Sequence, residues 1–321
     1  MSDNKVMHVV AGVIYDASGK VLLAQRLEGR HRAGCWEFPG GKLHKGETVQ
    51  QALKRELLEE LSIVVQHIKP LIKVYHQYDQ YNVLLDVWQV VSYQGHPMGA
   101  EGQLIKWMEV DQLAGLSMPE ADLPVIKALR LPEFYVISNE PTLGMQAFLD
   151  EQEKKFQSGA RLFQFRAKSL GVEEYKRFAS ALITKAEAYG VKVLLNADPQ
   201  LALELGAAGV HLTEHRLLAM RKKPQEADFL VAASCHDEKS LMHADALDLD
   251  FAVLSPVNTT LSHPGVKAMG WSQFDVLVSG VNLPVYALGG MALEDLSQSQ
   301  ACGAQGVAGI RLFAGDEPLR S

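Results

Sequence analysis

Cysteine is nearly missing from this chain: Cys35, Cys235 and Cys302 stand far apart among 321 residues and share no paired spacing. That excludes a disulfide framework and a thiolate zinc site, and it fits a reduced, cytoplasmic protein. Basic residues are outnumbered, 31 Lys and Arg against 38 Asp and Glu, for a formal charge of −7. An extended nucleic-acid footprint needs a basic surface to neutralise phosphates, so no stable nucleic-acid partner is expected. No apolar run approaches the ~20 residues of a membrane-spanning helix, and the polar start Met1-Ser-Asp-Asn-Lys5 does not read as a signal peptide. A soluble protein without a membrane partner is the expectation. Apolar residues, by contrast, are plentiful at 47%, in a chain too long for one ordinary small domain, which predicts two cores and two domains.

The most informative segment runs from Gly41-Lys-Leu-His-Lys-Gly46-Glu47 through Thr48 to Ile63. Thr48 followed by Gln51 predicts a capping box, and Val49, Leu53, Leu57 and Leu61 recur every fourth residue along one apolar stripe of the helix it opens. Glu56, Glu59 and Glu60 share the other face. Like charges at these spacings repel by roughly 0.2–0.5 kcal/mol per pair on an isolated helix. A compensating cation is one explanation, and a solvated acidic face is the other. Hard oxygen ligands of this kind suit Mg²⁺ or Mn²⁺, with substrate phosphates and waters completing the shell. Ser62 falls where a left-handed residue ends the helix, at a cost on the order of 1 kcal/mol for a non-glycine.

Gly41, Glu47, Arg55-Glu-Leu57 and Glu59-Glu60, in this order and spacing, resemble the signature of the Nudix hydrolases, which cut nucleoside diphosphate linkages; Ser62 stands in place of the usual glycine. Around the helix, Val9 to Tyr15 and Val21 to Gln25 read as a hairpin across Asp16-Ala-Ser-Gly19, with further strands at Val83 to Val91 and Ile105 to Met108. The resemblance, to the MutT branch of that family, continues through Val10-Ala-Gly12, Trp36-Glu-Phe-Pro-Gly40 and Pro124-Val-Ile126. It implies a Nudix α/β/α sandwich over residues 1–130. It also implies metal-dependent hydrolysis of 8-oxo-dGTP and related nucleoside triphosphates to monophosphate and pyrophosphate, which cleans the nucleotide pool and prevents mutation.

The same resemblance assigns the site. Glu56 and Glu101 are the catalytic carboxylates, and the Gly40 carbonyl, Glu56, Glu59, Glu60 and Glu101 hold the metal. Glu101, in Gly99-Ala-Glu-Gly-Gln103, is read as a contributor on a mobile loop. Arg26 and His31 meet the phosphates and sugar, Phe38 meets the base, and Glu37, Pro39 and Gly40 complete the substrate-binding set. Asp122 stands where the MutT branch carries the Asn that reads oxidised guanine, and Tyr81 replaces an Arg at the rim. Gly41, Glu47 and Arg55 are structural support, the last two as a loop-bracing pair. Without the resemblance, Arg26 reads as an exposed cation, His31 as solvated, Phe38 as core and Glu101 as an ordinary surface residue.

Beyond Leu131 the texture changes. Phe134 to Ser138, Leu162 to Lys168, Val191 to Asn196, Gly209 to Thr213, Leu230 to His236, Phe251 to Pro256, Pro284 to Leu288 and Gly306 to Ile310 read as strands. Helical patterns such as Val172 to Tyr189 and Leu293 to Cys302 lie between them. This predicts a (β/α)8 TIM barrel over 133–321, after a tight connection at Leu129 to Glu133, with any ligand at the C-terminal strand ends. The region resembles thiamine phosphate synthase and its TenI-like relatives: Gln164-Phe-Arg-Ala-Lys168, Asn196, Gly209-Val-His-Leu212, Ser234-Cys-His236, Thr260-Leu-Ser262 and Leu288-Gly-Gly290 follow in the family's order. That implies a phosphate site built from Gln164, Arg166, Lys168, Asn196, Thr260, Gly289 and Gly290. The departures are substantial. Ala197 and Arg216 stand where metal-binding acidic residues are expected, His263 replaces a Lys, and Ala308 to Arg311 replaces a hydroxyl-bearing phosphate loop. Asp198 and Glu214 are the nearest substitutes, out of register. The expectation is a degenerate synthase holding a phosphate-bearing ligand. Retained thiamine phosphate synthesis, a thiamine-pathway substrate for the Nudix half, and a barrel that regulates the hydrolase remain open at this point.

Overall fold

The computed structural model describes residues 6–29, 32–226, 228–259 and 267–313. They form two compact units, the first drawn mainly from residues 1–130 and the second from 131–278 and 283–321.

In the first unit, strands β1 (Val6–Ile14), β4 (Gly40–Lys42), β5 (Val64–Gln77) and β6 (Asn82–Gln94) make a four-stranded mixed sheet in the order β4-β1-β6-β5. Strands β2 (Val21–Gln25), β3 (Trp36–Glu37) and β7 (Ile105–Met108) make a second, antiparallel one. Strand β1 is central, and a helix packs on each of its faces. Val10 and Ile14 join Leu53, Leu57 and Leu61 of α1 (Val49–Leu61), whereas Ala11 and Val13 join Val125 and Ile126 of α2 (Leu123–Leu129). Gly12 lies under α1: a Cβ there would come within 2.8 Å of Leu57 Cδ1, so only glycine lets the helix settle this close. The α/β/α arrangement follows from that two-faced burial.

Two expectations need correction. The strands at Val9 to Tyr15 and Val21 to Gln25 do not form a hairpin. The turn between them does, with the Asp16 carboxylate accepting from the Ser18 and Lys20 N–H groups at 2.8 and 2.9 Å. But β1 already pairs with β4 on one edge and β6 on the other, so β2 meets it only at the Tyr15–Val21 bridge and continues into the second sheet. Strand β5, fourteen residues long, was not foreseen at all. Pro70 and the scattered His67, Lys69 and Lys73 obscure it. An edge strand tolerates a residue without an N–H, and β5 pairs only with β6, with register shifts on both sides of the proline.

The second unit is a closed barrel of eight parallel strands: β8 (Phe134–Ile137), β9 (Leu162–Phe165), β10 (Lys192–Leu195), β11 (Gly209–Leu212), β12 (Leu230–Cys235), β13 (Phe251–Leu254), β14 (Val285–Leu288) and β15 (Gly306–Gly309). Each lies inside one of the eight segments read from the sequence. Most are four-residue runs buried on both faces, as a parallel barrel requires. Helices α3 (Met145–Gln157), α4 (Val172–Glu187), α5 (Pro199–Glu204), α6 (Glu214–Ala219), α7 (Glu238–Ala246), α8 (Gly270–Val278) and α9 (Leu296–Ala301) each follow one of the first seven strands. Helix α4 shows the outer-ring pattern, burying Phe178, Ala179, Leu182, Ile183 and Ala186. The interior is packed with rings: Tyr135 meets Phe251 edge-on at 5.0 Å between centroids, and Phe251 meets Tyr286 at 5.2 Å. It is a core and not a pore, which leaves ligand binding to the loops that follow the strands.

Candidate active site

The first unit's site starts from the way α1 is built. Thr48 and Gln51 form the capping box, with the Gln51 N–H donating to Thr48 Oγ1 at 3.2 Å and the Thr48 N–H to Gln51 Oε1 at 2.9 Å. Ser62 ends the helix at φ 56°, in the left-handed region. Between these ends the apolar stripe is buried, and Arg55, Glu56, Glu59 and Glu60 are held on the other side. Arg55 organises that side. Its Nε and Nη2 donate to the two oxygens of Glu47 at 2.7 and 2.9 Å, Nη2 also reaches the Lys42 carbonyl at 3.1 Å, and Nη1 reaches Glu56 at 2.8 Å and Glu59 at 3.2 Å. The hydrogen bonds from Arg55, helped by the His44 N–H, hold the Glu47 carboxyl down at about 2. Glu59 is therefore drawn toward Arg55 on the exposed flank, away from the cavity that Glu56 and Glu60 line.

Glu60 faces inward. Its Oε2 accepts the Gly40 N–H at 2.9 Å, and burial pushes the carboxyl up to about 8, with the charges of Glu37, Glu56 and Glu101 adding to the shift. The close approach of strand β4 to both β1 and α1 depends on two glycines. A Cβ on Gly40 would run into the Val10 carbonyl oxygen, and one on Gly41 into the Glu56 carboxylate. Glu101 is not on a loose loop. The Ala100 N–H and Gln103 Nε2 both donate to the Glu60 carbonyl, at 2.9 and 2.7 Å, and Gln103 Oε1 accepts the Glu101 N–H at 2.9 Å. The last turn of α1 thus carries Glu60 and anchors Glu101.

These groups line one side of a cavity of about 620 Å³. Arg26, Glu37, Phe38, Tyr78, Tyr81 and Asp122 line the remainder. Arg26 is ion-paired with Glu37. Phe38 is 3% exposed and belongs to the core as well as to the wall. The Pro39 carbonyl accepts the Gly12 N–H at 2.8 Å, fixing the chain that leads to Gly40. Asp122 begins α2 but makes no side-chain cap; it is buried, and its carboxyl is raised well above the ordinary carboxylate value by burial and by Glu37, against the pull of Arg26 and the Phe38 N–H. His31 lies outside the described residues. Tyr78 was missed. The signal for it is the run Tyr75-His-Gln-Tyr78-Asp-Gln-Tyr81, in which the Tyr78 ring meets His76 edge-on and Tyr81 at a tilt just past the end of β5.

Among the described residues, no three His, Cys, Asp or Glu side chains stand close enough to enclose a metal by themselves. Mg²⁺ does not need such a cage, because it binds through one or two carboxylates and keeps waters and substrate phosphates in its shell. Glu56, Glu60, Glu101 and Gly40 all line the cavity, and their carboxylates and carbonyl are hard oxygen donors of the right kind. Burial, with the charges of Glu37, Glu56 and Glu101 added, raises the Glu60 carboxyl, and a cation beside it would favour the ionised form.

In the barrel, the expected ligand residues follow strand ends. Gln164 is buried in β9, and the Arg166 N–H donates to Ser138 Oγ at 2.9 Å. Lys168 is exposed, its backbone N–H held by Glu140 at 3.0 Å. Asn196 follows β10, its N–H bonded to the Phe165 carbonyl at 3.0 Å. Gly289 and Gly290 follow β14 at φ 108° and 66°, packed against Pro256 and Thr259 so closely that a Cβ on either would clash. Thr260 and His263 lie outside the described residues. Asp198 caps α5, its Oδ1 accepting the Gln200 N–H at 3.0 Å. Deeper in, His211 is fully enclosed between the Tyr135 hydroxyl at 3.1 Å and Ser234 Oγ at 2.9 Å. Burial and the charge of Arg166 push its imidazole down to about 3, so it stays neutral.

Residues 10–128 match the NUDIX domain family and residues 134–313 match the family described as thiamine monophosphate synthase. The 8-oxo-dGTP diphosphatase of Escherichia coli is 35% identical over 126 residues, 39% of this chain and 98% of the relative. That of Haemophilus influenzae is 39% identical over 127 residues, 40% of this chain and 93% of the relative. An Aquifex aeolicus protein provisionally named thiamine-phosphate synthase 2 is 34% identical over 185 residues, 58% of this chain and 99% of the relative. The chain thus belongs to two families at once, the Nudix hydrolases through its first unit and the thiamine monophosphate synthases through its barrel.

Proposed function

We propose that residues 1–130 hydrolyse 8-oxo-dGTP and related nucleoside triphosphates to monophosphate and pyrophosphate, using Mg²⁺ or Mn²⁺. The observation that carries this reading is one cavity with a carboxylate cluster, Glu56, Glu60 and Glu101, and a buried hydrogen-bonding group, Asp122, in its walls. When bound, the divalent cation supplies charge neutralisation at the phosphoryl oxygens and activation of the attacking water. Glu56, Glu60 and the Gly40 carbonyl would hold it, and the carboxylates of Glu56 and Glu101 are the two acceptors available to the one proton that water gives up. Glu47 and Arg55 keep the β4-to-α1 connection in place. Arg26 meets the phosphates and sugar. A nucleotide-pool substrate places this work in the cytoplasm.

Base choice follows from the charge state of Asp122. Guanine presents two adjacent acceptors, N7 and O6. Oxidation at C8 places a proton on N7, so the pair becomes donor and acceptor. An ionised carboxylate only accepts, but burial favours neutral Asp122, which offers one O–H donor and one carbonyl acceptor as an amide would. The acid is thereby equivalent to the Asn that the MutT branch carries there.

For the barrel, we infer a phosphate-bearing ligand and no efficient synthase chemistry. Arg166 and Lys168 supply cations, whereas Ala197 and Arg216 replace the acidic residues that would hold a metal on a pyrophosphate leaving group, and Asp198 is committed to a helix cap.

Replacing Glu56 or Glu60 by Gln keeps side-chain volume and an acceptor oxygen but removes a ligand charge. At saturating Mg²⁺, turnover is expected to fall ~10²–10⁴-fold while the circular dichroism spectrum is retained. Wild-type-like turnover in either variant would remove the assignment. Asp122→Ala is expected to erase discrimination between 8-oxo-dGTP and dGTP by on the order of 1–3 kcal/mol, read as the ratio of their kcat/KM values; an unchanged ratio would show that another residue reads the base. Calorimetry with thiazole and pyrimidine phosphates is expected to show binding that Arg166→Ala weakens. Assays for coupling a pyrimidine pyrophosphate to a thiazole phosphate are expected to stay at background, and robust thiamine phosphate formation would overturn the reading of the barrel.

A further inference from the structure

Two segments meet beside Asp122, and neither belongs to the Nudix signature. One is the stretch Arg32 to Trp36, tied to Arg26 by hydrogen bonds from the Arg26 N–H to the Cys35 carbonyl at 2.9 Å and from the Gly34 N–H to the Arg26 carbonyl at 3.0 Å. The other is the turn from Ser117 to Asp122, which leads into α2. They are joined at three points. The Trp36 N–H donates to the Ser117 carbonyl at 2.9 Å, Cys35 Sγ lies 3.3 Å from Ser117 Oγ, and Arg32 is ion-paired with Glu120. The Arg32 guanidinium also sits 5.8 Å from the centroid of the Tyr78 ring, and the Tyr78 hydroxyl accepts the Ala121 N–H at 3.4 Å. Arg32 therefore touches the residue before Ala121 and the side chain that holds Ala121, one residue away from Asp122.

We propose that Arg32 and Glu120 form a clasp that positions the Asp122 turn, so that both are specificity-determining residues that touch neither the phosphates nor the cation. The inference rests on the reading that Asp122 reads the base. A single carboxyl distinguishes a donor–acceptor pair from two acceptors only while its two oxygens keep their orientation, since hydrogen bonds weaken steeply with angle. Asp122 makes no cap bond to its own helix, and the one hydrogen bond its carboxyl takes, from the Phe38 N–H, leaves the placing of the turn to other contacts. The clasp supplies the constraint through the backbone of residues 120–122. Glu120 is suited to one partner: its second oxygen is buried with no hydrogen bond among the described residues, leaving the first for Arg32. The carboxylate cluster is braced independently by Arg55, so loosening the clasp leaves it intact. Because the pair is partly exposed, 37% and 42% for the two side chains, its effect should be modest and weakened by salt.

The test uses the full-length protein with 8-oxo-dGTP and dGTP. Arg32→Ala and Glu120→Gln are each expected to raise KM for 8-oxo-dGTP and to lower the ratio of kcat/KM values by about three- to tenfold, with kcat for 8-oxo-dGTP within about twofold of wild type. The double swap Arg32→Glu with Glu120→Arg is expected to recover more than half of that loss on a logarithmic scale, which a general loss of folding would not. Selectivity and KM unchanged in both single variants, or a double swap worse than either single reversal, would overturn the clasp. Asp122→Ala separates the two levels: if it abolishes selectivity while Arg32→Ala and Glu120→Gln leave it at the wild-type ratio, the clasp alone fails, and if it leaves selectivity intact, the base-reading role fails with it.

Discussion

The first unit depends on an electrostatic conflict around Glu60. Burial, first of all, holds this carboxyl near neutrality at pH 7, and the charges of Glu37, Glu56 and Glu101 make its ionisation harder still. Between the ordinary value of 4.5 and about 8, the folded chain holds a proton on Glu60 that the unfolded chain has lost. This contribution therefore makes the fold less stable as pH rises through that window. A bound cation reverses the sign by favouring the ionised form. Much of the surrounding structure serves to hold the conflict in place. The Gly40-Gly41 turn brings β4 up against Glu56 and Glu60, the last turn of α1 anchors the Glu101 loop, and Arg55 braces the opposite flank.

How much of this can be read from sequence depends on whether a feature is local. The α1 capping box, its four-residue apolar stripe and its left-handed Ser62 are determined by neighbours within a turn or two, and they appear in the structure as the spacing predicts. The eight barrel strands are short apolar runs between helical patterns, and all eight are present. Strand β5 was hidden because Pro70 is a fair argument against a strand unless it is known to lie at an edge, which is a property of the sheet and not of the segment. The supposed β1–β2 hairpin failed for the same reason: the turn is local, but the competition of β4 and β6 for the edges of β1 is not. Within the candidate site, the spacing alone gave Glu56 and Glu60 one face, but it could not show that Arg55 would draw Glu59 away from them. Nor could it show that Asp122 is buried enough to favour the neutral acid, or that Tyr78 joins the wall.

The two units illustrate different fates of inherited chemistry. In the first, Ser62 takes a left-handed backbone angle, φ 56°, of the kind a glycine adopts easily, and burial shifts the Asp122 carboxyl toward its neutral form. In the barrel, the ring-filled interior and the close strand contacts support the fold, while Ala197 and Arg216 carry no carboxylate and Asp198 caps a helix, which is the ground for proposing a barrel that binds without transferring. Stability and chemistry reside in different layers of a barrel, so one can be lost without the other.

The central claim is that the crowded carboxylates around Glu60 form a cation site whose occupation expels a proton. Titration of the metal-free protein with Mn²⁺ by calorimetry, in buffers of different ionisation enthalpy at pH 6, 7 and 8.5, tests it directly. The account predicts release of about one proton per ion at pH 6 and 7, with affinity rising up to tenfold per pH unit until it levels off above about pH 8, where Glu60 is already ionised. Binding with no proton release and no change of affinity across that range would contradict it.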